Sequence, residues 1–241
     1  MSRKPEKILV MNDLHVPFQD KPLMKKMYKF IEKHQNEFDK IFLLGDWIDF
    51  YSISRFDKDP ERRLYLKKEV DMAKKELEKL REVYPKGEIW YLKGNHEERV
   101  EKYIKRNAQE LYWVEGLKLE KLLDLDELDI KYINKRYFKY KGLIYSHLIK
   151  ANKYGGYSAR NLGVDVQNSL IHGHSHKSGK VRMGKYDFYD NGCLCKLDAE
   201  YLKVPASWTH SFAVVEVYGN ENYINQIDIK NRKFIYKGVR Y

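Results

Sequence analysis

Short apolar runs that stop at a polar residue recur along this chain. Residues 7–11 are followed by Asn12-Asp13, residues 40–44 by Gly45-Asp46, and residues 88–92 by Gly94-Asn95-His96. Residues 143–145 lead into Ser146-His147, and residues 170–171 into His172-Gly173-His174. None of these runs alternates apolar with polar positions, which predicts strands covered on both faces. Between them the apolar spacing turns helical. Leu23, Met27, Phe30, Ile31 and Phe38 recur at that spacing after a Lys21-Pro22 start, and residues 60–84 form a longer amphipathic stretch ending at Pro85-Lys86-Gly87. A third helix after Glu97 is expected to carry Val100, Tyr103 and Ile104 inward, and residues 109–135 are read as helical with an acidic patch at 124–129. Residues 212–218 and 223–229 predict a hairpin about Gly219-Asn220. The opening β-α-β-α-β order belongs to a layered α/β fold. With no repeat or linker in sight, one domain is expected over residues 1–241, with a small helical insertion around 97–135.

Composition narrows the class. Hydrophobic residues make up 43% of the 241, enough for a sizeable core. No apolar run approaches the roughly 20 residues that cross a bilayer, and residues 1–10 are charged and lack a cleavage signal. A cytoplasmic protein is expected, or one of the host cytoplasm if phage-encoded. The two cysteines, Cys193 and Cys195, stand two apart, too close on a strand for an unstrained disulfide. Without a second Cys/Cys or Cys/His pair nearby in the sequence they are read as packing thiols. The net charge of +11 makes a polyanion such as nucleic acid a natural partner, although a lysine-rich solvated surface gives the same sum.

The strand ends carry the chemistry. In open α/β sheets the carboxyl ends of strands form the crevice that receives ligands, so Asp13, His15, Asp46, Asn95, His147, His174 and His176 are expected to meet there. A lone strand-end Asp or Asn is usually a turn or cap residue, but seven such donors in one crevice suit divalent metal. Seven exceed the needs of one ion, so two ions sharing a carboxylate is the economical reading, with Mn favoured over Fe, Zn, Ni, Co or Mg. Two ions about 3.5–4 Å apart clamp a phosphoryl group and activate water.

Five blocks in order, Asn12-Asp13-Leu14-His15, Gly45-Asp46-Trp47-Ile48-Asp49, Gly94-Asn95-His96-Glu97, His147 and Gly173-His174-Ser175-His176, resemble the motifs of the calcineurin-like metallophosphoesterase superfamily. The resemblance spans residues 12–176. It implies a four-layer α/β/β/α sandwich, with Asp13, His15 and His176 on one metal, Asn95, His147 and His174 on the other, and Asp46 bridging. It also implies that His96 stabilises the phosphoryl transition state or protonates the leaving oxygen, that Asp49 orients His96, and that metal-activated water attacks phosphorus. Phe50-Tyr51 after Asp49 departs from the Arg-Gly of the protein phosphatases. The stretch from Gly192 to Trp208 is similar to small phosphoesterases of phages and bacteria, distant relatives of DNA-repair nucleases.

For the substrate, the loops after the ligand strands mix bases and rings: Phe50, Tyr51, Arg55 and Phe56, then Lys150, Lys153, Tyr154, Tyr157 and Arg160, then Lys177 and Lys180. Arg55 and Arg160 are the expected phosphate contacts. This favours a phosphodiesterase or nuclease on nucleic acid or nucleotides. The alternatives are a phosphomonoesterase acting on phosphoproteins or small molecules, and a scaffold that keeps the fold without turnover. The oligomeric state is not read from the sequence. Glu97 and Glu98 are read as helix-opening acids, His172 as a strand residue facing away from the ligands, His210 as packed or exposed, and His34 as solvated.

Overall fold

The structure is a computed structural model and describes residues 4–58, 61, 64–198 and 207–241. Along these run β1 (Glu6–Met11), α1 (Lys21–His34), β2 (Lys40–Leu43), α2 (Leu66–Val83), β3 (Glu88–Leu92), α3 (Glu98–Asn107), α4 (Leu119–Leu122) and β4 (Ile130–Ile133). There follow β5 (Tyr137–Tyr140), β6 (Leu143–Ser146), α5 (Tyr157–Val166), β7 (Leu170–His172), β8 (Ser178–Met183) and β9 (Tyr186–Asn191). The chain closes with β10 (His210–Tyr218), β11 (Glu221–Ile229), β12 (Ile235–Tyr236) and β13 (Val239–Arg240).

The main strands form two sheets, in orders β11-β10-β1-β2-β3-β4 and β5-β6-β7-β9-β8. Strands β1 to β4 pair in parallel, and β10 joins β1 antiparallel. Alternation along the strands then builds the layers. Ile8, Val10 and Phe42 face Leu143, Tyr145, Ile171 and Tyr189 of the other sheet. Leu9, Met11, Ile41 and Leu43 pack on Leu23, Met27, Phe30, Leu77 and Leu80 of α1 and α2. Ala159 of α5 covers Ile144, Leu170 and Phe188 on the far side. Helix, sheet, sheet and helix give the expected α/β/β/α sandwich. Both faces of the central strands are covered, which is why their sequences do not alternate.

The helix starts follow local rules. Asp20 caps α1, its carboxylate accepting the Leu23 N–H at 3.0 Å. The expected start of the second helix at residue 60 lies outside the described residues, and α2 begins at Leu66. Three expectations are corrected. Tyr103 is 43% exposed, because α3 buries only Val100 and Ile104. Residues 109–135 hold short helical turns and α4, and then enter the first sheet as β4. His34 is buried, its ring bonded to Glu37 at 2.9 Å and to the Tyr241 hydroxyl at 2.6 Å. The C-terminal residues fold back over α1, a long-range contact that a local reading does not register. No helix among the described residues is long and apolar enough to cross a membrane.

Candidate metal centre

The turns after β1, β2, β3, β6 and β7 converge. Asp13 N–H donates to Gly45 O at 3.2 Å and His15 N–H to Asp46 O at 2.9 Å, lacing the first two turns together. Asp13 Oδ2 accepts the His174 N–H at 2.8 Å, which ties in the fifth. Asp13, His15, Asp46, His174 and His176 all hold φ between 51° and 70°, a left-handed conformation that non-glycine residues seldom adopt. Strain gathered on five of the seven expected ligands marks a site whose geometry is imposed by its surroundings. Gly45, at φ 77°, permits the crowding: a Cβ there would stand 2.7 Å from the Gly94 backbone and 2.9 Å from His147 Nδ1.

Two of the donor triads among the described residues consist of expected ligands alone. The ligand atoms of Asp13, His15 and His176 lie within 4.8 Å of one another, as do those of Asp46, His147 and His174. His15 Nε2 faces His176 Nε2 at 3.0 Å, and His176 Nε2 lies 3.0 Å from Asp13 Oδ1. That Oδ1 is buried without a bond of hydrogen-bonding geometry. Across the cluster, His147 Nε2 approaches Asp46 Oδ2 at 3.0 Å and Asn95 Oδ1 at 3.2 Å. Asp46 Oδ2 also lies 3.7 Å from His15 Nε2, so this carboxylate stands between the triads. Two imidazole nitrogens facing each other and an orphaned carboxylate oxygen are what a cation would satisfy. The residues therefore fit divalent ions.

The surrounding hydrogen bonds fix which nitrogen each ring offers. His147 Nδ1–H donates to Leu44 O at 2.5 Å, turning Nε2 inward. His15 Nδ1–H donates to Asp49 Oδ2 at 3.1 Å. Asp49 also lies 3.3 Å from His96 Nδ1, whose N–H is given to the Asp49 carbonyl at 3.0 Å. Electrostatics follow. Burial opposes charge on Asp13 and Asp46, yet the imidazoles of His176 and His147 and their neighbours hold both carboxyls well below the usual range. Burial also opposes charge on His147 and His176. Asp46 and Asp13 nevertheless lift His147 to about 9, and the Cys195 thiol and Asp13 lift His176 to about 9. His174, desolvated and beside His147, falls to about 4.

Several working residues escaped the sequence reading. Glu97, taken for a helix-opening acid, is buried and accepts four bonds: from the N–H groups of Asp46, Trp47 and Gly94 at 3.0, 2.9 and 2.8 Å, and from the Tyr91 hydroxyl at 2.6 Å. It clamps the turn that carries Asp46. Arg99 donates to Asp49 Oδ1 at 2.9 Å, to Asp49 O at 2.8 Å and to His96 Nε2 at 3.1 Å. It lines the cavity over the donors, whereas Arg55 and Arg160 do not. Arg55 is exposed on the adjoining loop, and Arg160 donates to Met183 Sδ and Asn161 Oδ1. Lys177 Nζ is spent on the carbonyls of Asn152 and Lys153. The spacing of Glu97 and Arg99 after His96 was visible, but only the fold aims them at Asp46 and Asp49. Cys193 and Cys195 are buried free thiols, and Cys195 Sγ comes within 3.9 Å of His176 Nδ1, a histidine neighbour that sequence distance concealed. His172 is buried against Ser146, and His210 donates to Cys195 O at 2.6 Å.

A family model described as calcineurin-like phosphoesterase matches residues 6–211. The chain belongs to the calcineurin-like phosphoesterase family. It is 27% identical over 233 residues to the gene 54 protein of Mycobacterium phage L5, covering 89% of this chain and 90% of that one. The gene 54 protein of Mycobacterium phage D29 is 28% identical over the same length and coverage. Among solved structures, Vacuolar Protein Sorting 29 from Cryptosporidium parvum matches with a TM-score of 0.51 at 13% identity over 99% of each chain. A hypothetical protein from Pyrococcus horikoshii OT3 matches with a TM-score of 0.50 at 12% identity, over 93% of this chain and 88% of that chain. These structural likenesses speak for the fold alone.

Proposed function

We propose that this chain is a two-metal phosphoesterase acting on phosphodiesters of nucleic acid or nucleotides. The observation that carries the reading is the pair of donor triads with the Asp46 carboxylate between them. Asp13, His15 and His176 would hold one ion, Asn95, His147 and His174 the other, and Asp46 both. When bound, such ions supply Lewis acidity and an acidified water, and Mn²⁺ suits this mixed oxygen and nitrogen set.

The chain's own residues do the rest. Asp49 orients His15 and His96 together. Arginine only donates, so its contact makes His96 Nε2 an acceptor in this structure, with the ring proton on Nδ1. For His96 to hand a proton to a leaving oxygen, it must take up a second proton and release Arg99. The freed Nη2 then stands on the cavity wall, with Nη1 still on Asp49, where it can donate to a phosphate oxygen. Buried free thiols beside a ligand histidine support a reducing compartment such as the cytoplasm, or the host cytoplasm for a phage protein. The entry of residues 130–133 into the first sheet as β4 supports one metallophosphoesterase domain.

The net charge of +11 favours a polyanion over a phosphopeptide. The test assays the Mn²⁺-loaded protein on bis(4-nitrophenyl) phosphate and on 4-nitrophenyl phosphate, then on single- and double-stranded DNA and RNA. Diester hydrolysis with cleavage of one nucleic acid is expected. Preference for the monoester, with no cleavage even at low salt, would replace this reading with a phosphomonoesterase. Inertness on every substrate would leave the scaffold.

A further inference from the structure

The cavity above the donor cluster has a volume of about 470 Å³, the size of pockets that take a whole small molecule. Its floor is polar and its rim is aromatic. Tyr51, Phe56 and Trp208 line it together with Ser54, Asp57 and Arg99. Phe56 is 75% exposed, so its ring face is open to a ligand in the cavity. The Trp208 indole stands edge-on to His176, with ring centroids 4.2 Å apart, so an aromatic wall begins beside an imidazole of the donor cluster. The turn at Tyr51–Ile53 is held from beneath: the buried Glu69 carboxylate accepts the N–H groups of Tyr51 and Ser52 at 2.6 and 3.0 Å. That turn is therefore set before a ligand arrives, which lowers the ordering cost at Tyr51.

Two polar groups stand among the rings. Ser54 lines the cavity, and its Oγ has no hydrogen-bond partner and is closed to solvent, so a rotation about χ1 is what brings the hydroxyl to a ligand. The exposed carboxylate of Asp57 lines the same cavity. A plain phenyl or alkyl group would cover Phe56 and leave Ser54 unsatisfied. A nucleobase has a face for stacking and an edge of amino and ring-nitrogen groups for a hydroxyl and a carboxylate. We propose that Tyr51, Ser54, Phe56, Asp57 and Trp208 form a nucleobase subsite beside the phosphoryl site, which makes a nucleotide unit the substrate. This rests on the phosphate-ester reading of the metal centre.

The test is equilibrium binding, by calorimetry, to the Mn²⁺-loaded protein of three phosphonates that lack a cleavable ester. These are the phosphonate analogues of adenosine 5′-monophosphate and of ribose 5-phosphate, and phosphonomethyl-phenylalanine. The nucleotide analogue is expected to bind about tenfold or more tightly than the sugar analogue, the scale of one base stacked on aromatic rings. Phe56→Ala should remove most of that advantage and Ser54→Ala part of it, with the sugar analogue unaffected by either. Equal binding of the nucleotide and sugar analogues overturns the subsite and leaves the phosphoryl site standing. Tightest binding of phosphonomethyl-phenylalanine reassigns the rim to a phosphotyrosyl peptide. No binding by any of the three removes the phosphoryl site and the subsite with it.

Discussion

Asp49 is shared among three side chains. One of its oxygens takes His15 Nδ1–H and lies beside His96 Nδ1, and the other takes Arg99. Asp49→Asn keeps the shape and loses the charge that orients both rings. It is expected to weaken Mn²⁺ binding about 10–100-fold in a calorimetric titration, and unchanged affinity would show that His15 is oriented without it. His96→Ala should keep the metal and slow esters with an alkoxide leaving group by about 100-fold or more, while 4-nitrophenyl esters, whose leaving group needs no proton, lose less. Protonation gives a further expectation. His147 and His176 are lifted from 6.5 to about 9 by neighbouring carboxylates and, for His176, the Cys195 thiol. In the metal-free protein their contribution to stability is complete below 6.5 and is lost as pH rises to about 9. Metal ions need these nitrogens bare, so Mn²⁺ affinity should rise over the same window with release of protons. Calorimetry in two buffers of different ionisation enthalpy checks this, and no proton release would contradict it.

At the scale of elements, the turns matter more than the strands they join. Glu97 sits at the mouth of α3 but works on the β2 and β3 turns, where it satisfies four donors. Glu97→Gln sets an amide N–H₂ against backbone N–H groups. It is expected to lower the Tm by about 5–10 °C, from unsatisfied buried donors worth about 1–3 kcal/mol each. An unchanged Tm would mean that the turn holds itself. The contrast with the ligands shows what a sequence carries. Apolar runs ending in Asp, Asn or His were legible, because strand ends and chemistry coincide within one stretch of chain. The clamp roles of Glu97, Glu69 and Arg99 were not, because each acts on a residue that only folding brings near. The same reason hid β4 at the sheet edge and the burial of His34 beneath Tyr241. The edge strands β5 and β8 escaped because their polar outward faces, with burial patterns such as that of Ser178–Met183, look like loop.

On the whole molecule, two sheets face each other and their helices close the outside, so that five turns reach one crevice. The excess of positive charge lies on a surface where many lysines are already paired, as Lys180 is with Asp187 at 3.4 Å. Charge therefore raises the local concentration of a polyanion without naming it. On the proposed reading, specificity falls to the cavity rim, and catalysis to the pair of half-sites joined by Asp46. That joining is the central claim. Its most direct test is the hydrolysis of bis(4-nitrophenyl) phosphate by the metal-free protein as Mn²⁺ is added in known equivalents. Activity should stay low through the first equivalent, rise with the second and level off at two per chain. Activity that levels off at one equivalent, or that never appears, would contradict it.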